Sequence, residues 1–216
     1  MTDNEIFEKA QEAIERGDTD TAAQLAKQGL EAGIGGIDLL DKGFIPGINK
    51  VGDLFGEGQL FLPELILSAN AMQGVIEIIN ASLGDTDKKQ TRGKVVIGTV
   101  EGDLHDIGKT IVVSLLKANG FEVKDLGRDV SVERFIEEAE AFGADVIGTS
   151  ALLTTTMGVQ KNLVEKLEEK GLKGKFKTIV GGAPVTERWA KRIGADAYAA
   201  DASDGIRKIK ELLGNN

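Results

Sequence analysis

The only histidine of this 216-residue chain, His105, lies two residues after Asp103 in the segment Asp103-Leu104-His105-Asp106-Ile107-Gly108. It follows directly on the apolar run Lys94-Val95-Val96-Ile97-Gly98-Thr99-Val100. In an extended loop residues i and i+2 point the same way, so the Asp103 carboxylate can reach one ring nitrogen of His105. That pairing fixes the tautomer and leaves the other nitrogen free for a metal. The chain has no cysteine, which excludes disulfides, thiolate zinc sites, iron–sulfur clusters and cysteine nucleophiles. One imidazole cannot build a zinc site either. It does suit a metal that brings its other ligands inside a macrocycle. Taken alone, Asp-x-His is also the pattern of a surface or hydrogen-bonded histidine.

The same stretch, Gly102 to Thr110, has the outline of a phosphate loop but fails by one residue. Five residues separate Gly102 from Gly108-Lys109-Thr110, where that loop needs four. The carboxylate of Asp103 would also repel phosphate.

The elements that must position these residues alternate after residue 93. Strands are predicted at 94–100, 121–126, 145–150, 177–180 and 195–199, and helices at 107–119, 132–142, 156–170, 186–193 and 202–213. Five βα units with short connections give a Rossmann-like, flavodoxin-type, doubly wound parallel sheet. Ligands of such sheets bind outside the carboxyl ends of the strands, where the strand order reverses. His105 follows the first strand and so lies at that edge. Residues 1–88 read instead as four or five short amphipathic helices, a small bundle. Thr2-Asp3-Asn4-Glu5 fits a capping box, and Asp18 can cap a second helix ending near Gly33. A third covers roughly 36–42, another follows Pro46, and Pro63 opens the longest, running to about Ser82. The stretch from Gly84 to Gly93 mixes charge with Gly and Thr and has no large apolar residue. The division predicted is a helical domain at 1–88, a linker at 89–93 and a sheet domain at 94–216.

The net charge of −9 is unevenly spread. Residues 1–88 hold 6 Lys/Arg against 16 Asp/Glu, and residues 89–216 hold 20 against 19. An acidic face repels phosphate backbones, which argues against nucleic acid and for a protein partner or for solubility. No uninterrupted run of 18 uncharged apolar residues appears and the N-terminus is acidic, so neither a membrane span nor a secretory signal is expected. The expected location is the cytoplasm.

Asp103-Leu104-His105-Asp106-Ile107-Gly108, then 41 residues, Ser150-Ala151-Leu152, then 28 residues, Gly181-Gly182, resembles the cobalamin-binding signature D-x-H-x-x-G, S-x-L, G-G. The three pieces fall at the ends of the first, third and fourth predicted strands, as a shared pocket requires. The N-terminal half is similar to the helical cap of corrinoid methyltransferase proteins, through Val51-Gly52-Asp53-Leu54-Phe55-Gly56-Glu57-Gly58 and Phe61-Leu62-Pro63-Glu64-Leu65. The chain thus resembles the stand-alone corrinoid proteins used with methylamine, betaine, methanol or methyl ether methyltransferases, and the cobalamin module of methionine synthases.

The resemblance implies cobalamin as cofactor, with its nucleotide tail displaced from cobalt and His105 as the lower metal ligand. Asp103 becomes the hydrogen-bond partner of His105, and Thr156 the third member of the relay, as against a plain helix cap within Thr154-Thr155-Thr156. Asp106, Ile107, Gly108, Ser150, Leu152, Thr154, Gly181 and Gly182 would contact the cofactor and its tail. Phe55, Leu62 and Leu65 would shield the upper face, as against serving as bundle core. The implied activity is one-carbon methyl transfer. Co(I) takes a methyl group from a donor held by a substrate-specific methyltransferase and, as methyl-Co(III), passes it to a second methyltransferase with a thiol or folate acceptor. A reductive activation protein is a further implied partner. On this reading the chain is a methyl-carrying subunit and not a complete enzyme, and neither the donor nor the oligomeric state is encoded. Two other cobalamin classes share parts of the pattern. The cobalamin subunit of an adenosylcobalamin-dependent mutase does not need the helical half, and a cobalamin-sensing regulator would need a basic DNA-binding segment that is absent here.

Overall fold

The computed structural model describes residues 1–82 and 92–214. It divides into two compact units, Met1–Gln90 with Lys117–Gly120, and Thr91–Leu116 with Phe121–Asn216. The expected linker at 89–93 lies outside the described residues as far as Thr91.

The first unit contains α1 (Asp3–Glu15), α2 (Thr19–Glu31), the short α3 (Gly36–Asp38), a π-helical segment (Leu39–Phe44), α4 (Ile45–Gly56) and α5 (Leu62–Ser82). The capping box forms: Glu5 N–H donates to Thr2 Oγ1 at 3.3 Å, and Thr2 N–H donates to Glu5 Oε2 at 2.8 Å. Asp18 caps α2 through Thr21 N–H at 3.0 Å. The expected break between a third helix and one after Pro46 is absent. Instead α3, the π segment and α4 run on without interruption, and Ile45 N–H reaches back five residues to the Leu40 carbonyl. Pro46 has no N–H to continue an ordinary α-helical ladder, and the wider π turn just before it takes up the mismatch.

Helix α1 packs on α2, α4 and the π segment, while α2 packs on α5. Ile6, Ala10, Ala13 and Ile14 form the buried stripe of α1, and Phe44, Ile48, Met72, Val75 and Ile79 are wholly buried. Each large side chain so buried contributes about 1.5–3 kcal/mol. Helix α5 is long and apolar enough to cross a membrane by length and composition alone; Leu65, Ala69, Ala71, Met72, Val75 and Ile79 are buried in the unit, while Ile66 and Leu67 are exposed. The approach of α4 to α1 depends on Gly47, where a Cβ would lie 2.7 Å from the Gln11 carbonyl oxygen and 3.0 Å from Ile14 Cβ.

The second unit contains β1 (Lys94–Thr99), α6 (Ile107–Ala118), β2 (Glu122–Asp125), α7 (Val132–Phe142), β3 (Val146–Ser150), α8 (Met157–Glu169), β4 (Lys177–Gly181), α9 (Glu187–Ile193), β5 (Ala197–Ala199) and α10 (Ala202–Leu213). All pairings are parallel, in the order β2-β1-β3-β4-β5. The fold is therefore the expected flavodoxin-type doubly wound sheet, and its order reverses between β1 and β3. Strand β5 is shorter than expected because Asp196 leaves the ladder. Its carboxylate accepts from Thr178 N–H and hydroxyl, both at 2.8 Å.

The two faces of the sheet differ. Val96, Ile147 and Val180 pack with Phe135, Ile136, Leu163, Val164, Leu167 and Ile193 in a filled core under α7, α8 and α9. On the opposite face Ile97, Gly148, Ile179 and Ala197 stand in one register row. The glycine in that row lets Ile97 and Ile179 close toward each other: a Cβ at Gly148 would lie 3.2 Å from Ile97 Cγ1 and 3.6 Å from Ile179 Cγ2. The exchange Gly47→Val is expected to lower stability by about 1–3 kcal/mol through overpacking of the α1–α4 contact. Urea unfolding checks this, and an unchanged midpoint would mean the two helices are free to separate there.

Candidate ligand site at the strand-order reversal

Where β1 ends, the chain turns through Glu101–Asp106 before α6 begins. Asp103 is wholly buried in this turn. A buried carboxylate requires donors on both oxygens, and they come from two loops. Oδ1 lies 2.8 Å from His105 Nδ1 and accepts from His105 N–H at 3.1 Å. Oδ2 accepts from Leu152 N–H at 2.7 Å and Leu153 N–H at 3.1 Å, and lies 2.9 Å from Thr156 Oγ1. The Thr156 hydroxyl is equally close, 2.9 Å, to the Leu153 carbonyl, and its single proton serves one acceptor at a time. Burial pushes the Asp103 carboxyl up, but the bonds from His105, Leu152 and Thr156 outweigh it and hold the group well below the usual carboxylate range.

With Nδ1 facing Asp103, the His105 ring keeps Nε2 for a ligand, and its side chain is 53% exposed. Among the described residues no cluster of three or more His, Cys, Asp or Glu could hold a metal ion. The site therefore offers one imidazole. Around it stand exposed apolar side chains, Leu104, Ile107, Leu152 and Leu153, a landing for a broad, mostly apolar ligand face.

Beside His105 a cavity of about 490 Å³ opens on the face of the sheet that carries Gly148. Its walls are Val95, Ile97, Gly148 and Ile179 of the sheet, Val112 of α6, and Gly205 and Ile209 of α10. At its mouth Gly182 has φ +124°, and a Cβ there would stand 1.9 Å from the Ala151 carbonyl oxygen. Only glycine fits that position. Gln160, wholly buried, donates to the carbonyls of Thr149 at 3.3 Å and Gly181 at 3.2 Å, and so ties together the ends of β3 and β4. Lys109, buried on the first turn of α6, pairs with Asp125 at 2.5 Å.

All but one of the residues singled out from the sequence fall into three groups. Asp103, His105 and Thr156 form one hydrogen-bonded cluster. Asp106, Ile107, Gly108, Ser150, Leu152, Gly181 and Gly182 line the cavity with His105. Thr154 joins neither group and is exposed, because the turn after β3 directs the third threonine inward. Thr156 occupies the N-cap position of α8 but makes no capping bond. In the helical unit Phe55 and Leu62 are partly exposed, whereas Leu65 is 1% exposed, as a core residue would be. Sequence reasoning missed Gly148, Tyr198, Ala199, Gly205 and Ile209 as cavity walls. A glycine inside the apolar strand Val146-Ile147-Gly148-Thr149-Ser150 was the available signal.

A doubly wound sheet with one presented imidazole and an apolar cavity at its strand-order reversal defines a ligand-binding α/β protein. Comparison with known proteins identifies the ligand. A B12 binding domain matches residues 93–208 and a second B12 binding domain matches 6–80. Trimethylamine corrinoid protein 2 of Methanosarcina mazei is 46% identical, with 97% of this chain and 96% of that protein covered. Dimethylamine corrinoid protein 2 of Methanosarcina acetivorans is 45% identical, covering 89% and 87%. The crystal structure of the methanol:cobalamin methyltransferase complex MtaBC from Methanosarcina barkeri superposes with a TM-score of 0.81 at 33% identity, covering 100% of this chain and 82% of that one. The chain belongs to the B12-binding corrinoid proteins of methyltransferase systems, and its cofactor is cobalamin.

The charge on Asp103 is expected to stabilise the fold. Because its carboxyl is depressed in the folded state, its contribution is complete above the unfolded value of about 3.9 and is lost as pH falls through the lower folded value. The variant Asp103→Asn should be about 2–4 kcal/mol less stable at neutral pH. The difference from the parent should narrow in acid below about pH 4. Urea unfolding at several pH values checks both, and a difference independent of pH would remove the charge from the account.

Proposed function

We propose that the chain is a methyl-carrying subunit, incomplete as an enzyme alone, that works between two methyltransferases in the cytoplasm. The observation that carries this reading is the Asp103–His105 pair at 2.8 Å beside the apolar cavity. When bound, the corrinoid supplies a cobalt centre able to accept and release a methyl group. Nε2 of His105 would bind that metal, since Nδ1 is taken by Asp103. Asp103 holds the ring in the tautomer that frees Nε2, and Thr156 steadies Asp103 from the β3 side. Gly108, Ser150, Gly181 and Gly182, with Asp106, Ile107 and Leu152, line the cavity and would admit and contact the nucleotide tail. Thr154 is the weakest member of this set, since it faces solvent.

By their resemblance to a corrinoid helical cap, residues 1–88 would shield the reactive face with Phe55, Leu62 and Leu65, of which Leu65 is 1% exposed within the helical unit. Residues 89–93 serve as the linker, and residues 94–216 bind the cofactor. The names of the trimethylamine and dimethylamine relatives support a methylated amine as the donor. A substrate-specific methyltransferase would hold that donor, a second methyltransferase would hold a thiol or folate acceptor, and a reductive activation protein would restore the cofactor. The excess of 16 Asp/Glu over 6 Lys/Arg in residues 1–88 favours a basic docking surface on a partner.

The purified chain mixed with hydroxocobalamin is expected to retain the cofactor and show the visible bands of imidazole-coordinated cobalamin with its own base displaced. His105→Ala should retain the cofactor and lose those bands, whereas Gly182→Ala should weaken retention at least tenfold. Wild-type bands in His105→Ala would overturn the ligand assignment. Affinity for a methylamine-specific methyltransferase should fall about tenfold between low salt and a few hundred millimolar salt. Titration at several ionic strengths checks it, and insensitivity to salt would remove the acidic face as a docking determinant.

A further inference from the structure

The three signature segments account for the ligands of the site but not for what holds the loop that presents His105. Five residues after β2, Leu126–Val130, run across that loop. Asp129 has φ +55°, the only positive φ of a non-glycine residue among the described residues. Bulky side chains rarely adopt that conformation, and Asp and Asn tolerate it best. It brings the Asp129 carboxylate to Gly102, whose N–H donates to Oδ1 at 2.7 Å. Asp129 N–H in turn donates to the Asp103 carbonyl at 3.2 Å. Next to it, Arg128 lies 3.5 Å from both the Asp106 carboxylate and the Leu104 carbonyl.

The segment is fastened to β1 at the same level. Thr99 N–H donates to the Gly127 carbonyl at 2.9 Å, and Val130 N–H donates to the Thr99 carbonyl at 3.0 Å. The buried Thr99 hydroxyl donates to the His105 carbonyl at 3.0 Å. At the downstream end, Asp125 pairs with Lys109 on the first turn of α6. The His105 loop is therefore gripped on one side by the last residue of β2 and on the other by the residues that follow it, although no residue of β2 lines the cavity.

We infer that Asp129 is a positioning residue for the cobalt ligand: its carboxylate holds Gly102, and through Gly102 the Asp103–His105 pair, in the geometry that presents Nε2. Asp125 does the same from the far end through Lys109. This rests on the assignment of His105 as the lower ligand. It adds two carboxylates, Asp129 and Asp125, to the Asp103 group that sets the ring.

The chain has one histidine, so its ring nitrogens give a single set of NMR signals that can be read without cofactor. In protein carrying ¹⁵N-labelled histidine, the parent is expected to show the form protonated at Nδ1. Asp129→Gly keeps the backbone conformation and removes the acceptor, so it separates the hydrogen bond from the strain and guards against an Asp129→Ala that does not fold. Its Nδ1-protonated population should fall at least fivefold. Loaded with hydroxocobalamin, it should show a correspondingly smaller imidazole-coordinated fraction. Asp129→Asn, which retains both an acceptor and tolerance of positive φ, should restore the parent signals.

Parent-like ring signals and visible bands in Asp129→Gly, with or without a lower melting temperature, would overturn the inference. So would an Asp129→Asn as defective as the glycine variant. If the parent itself takes up no cobalamin while the ring signals respond as stated, the proposed function fails and the clamp stands.

Discussion

A carboxylate buried without compensation is so unfavourable that the structure around it must supply donors or protonate it. Asp103 is the point where this chain meets that constraint. Five groups converge on it: the ring and N–H of His105, the N–H groups of Leu152 and Leu153, and the Thr156 hydroxyl. They come from loops about fifty residues apart in sequence, and the sheet brings them together. Strands β1 and β3 are neighbours in register, with Thr99 opposite Ser150, so the turns leaving them must meet. The carboxylate converts that adjacency into one fixed assembly, because moving either loop strands donors or bares a buried charge.

The cavity follows from the same strand order by a different route. Where connections leave β1 and β3 in opposite directions, no crossover covers the gap between them. Most α/β proteins still fill the space beneath with side chains. Here Gly148 sits between Ile97 and Ile179 in the register row, and Gly205 lines the same cavity from α10. Small residues on both walls keep the space open, while the opposite face of the sheet is packed solid by α7, α8 and α9. The sheet is thus asymmetric: one face contributes stability and the other accommodates a ligand.

How much of this was legible in the sequence depends on the range of the interaction. Alternation of apolar runs gave the five parallel strands and their helices, because each element announces itself locally. Local caps at Thr2 and Asp18 were readable for the same reason. The continuous helical path through Leu39–Phe44 was not, since a π turn ahead of a proline looks like an ordinary break. The Asp103–His105 pair was legible because i and i+2 share a direction. Of the neighbouring threonines, however, only the structure separates Thr156, which turns toward Asp103, from Thr154, which faces solvent. Asp129 was invisible for a sharper reason. Its part depends on a left-handed backbone angle and a contact with Gly102 across 27 residues, neither of which leaves a mark on spacing or composition.

The contrast between one presented imidazole and an extensive apolar cavity bears on how such a site can work. A ligand held by many weak contacts along a side arm does not depend on any single bond for its retention. Burial of apolar surface contributes about 25 cal/mol per Å², so an arm filling a cavity of about 490 Å³ supplies binding that a lone nitrogen donor need not. On the proposed assignment the imidazole would be free to tune the metal without anchoring it, and Asp103, Thr156 and the loop after β2 would serve the direction of the ring alone. This separation of tasks fits a site whose buried hydrogen-bonding groups gather on Asp103, while the cavity beside it is lined mainly by aliphatic residues and glycines, with Ser150, Thr149, Tyr198 and Asp201 among them.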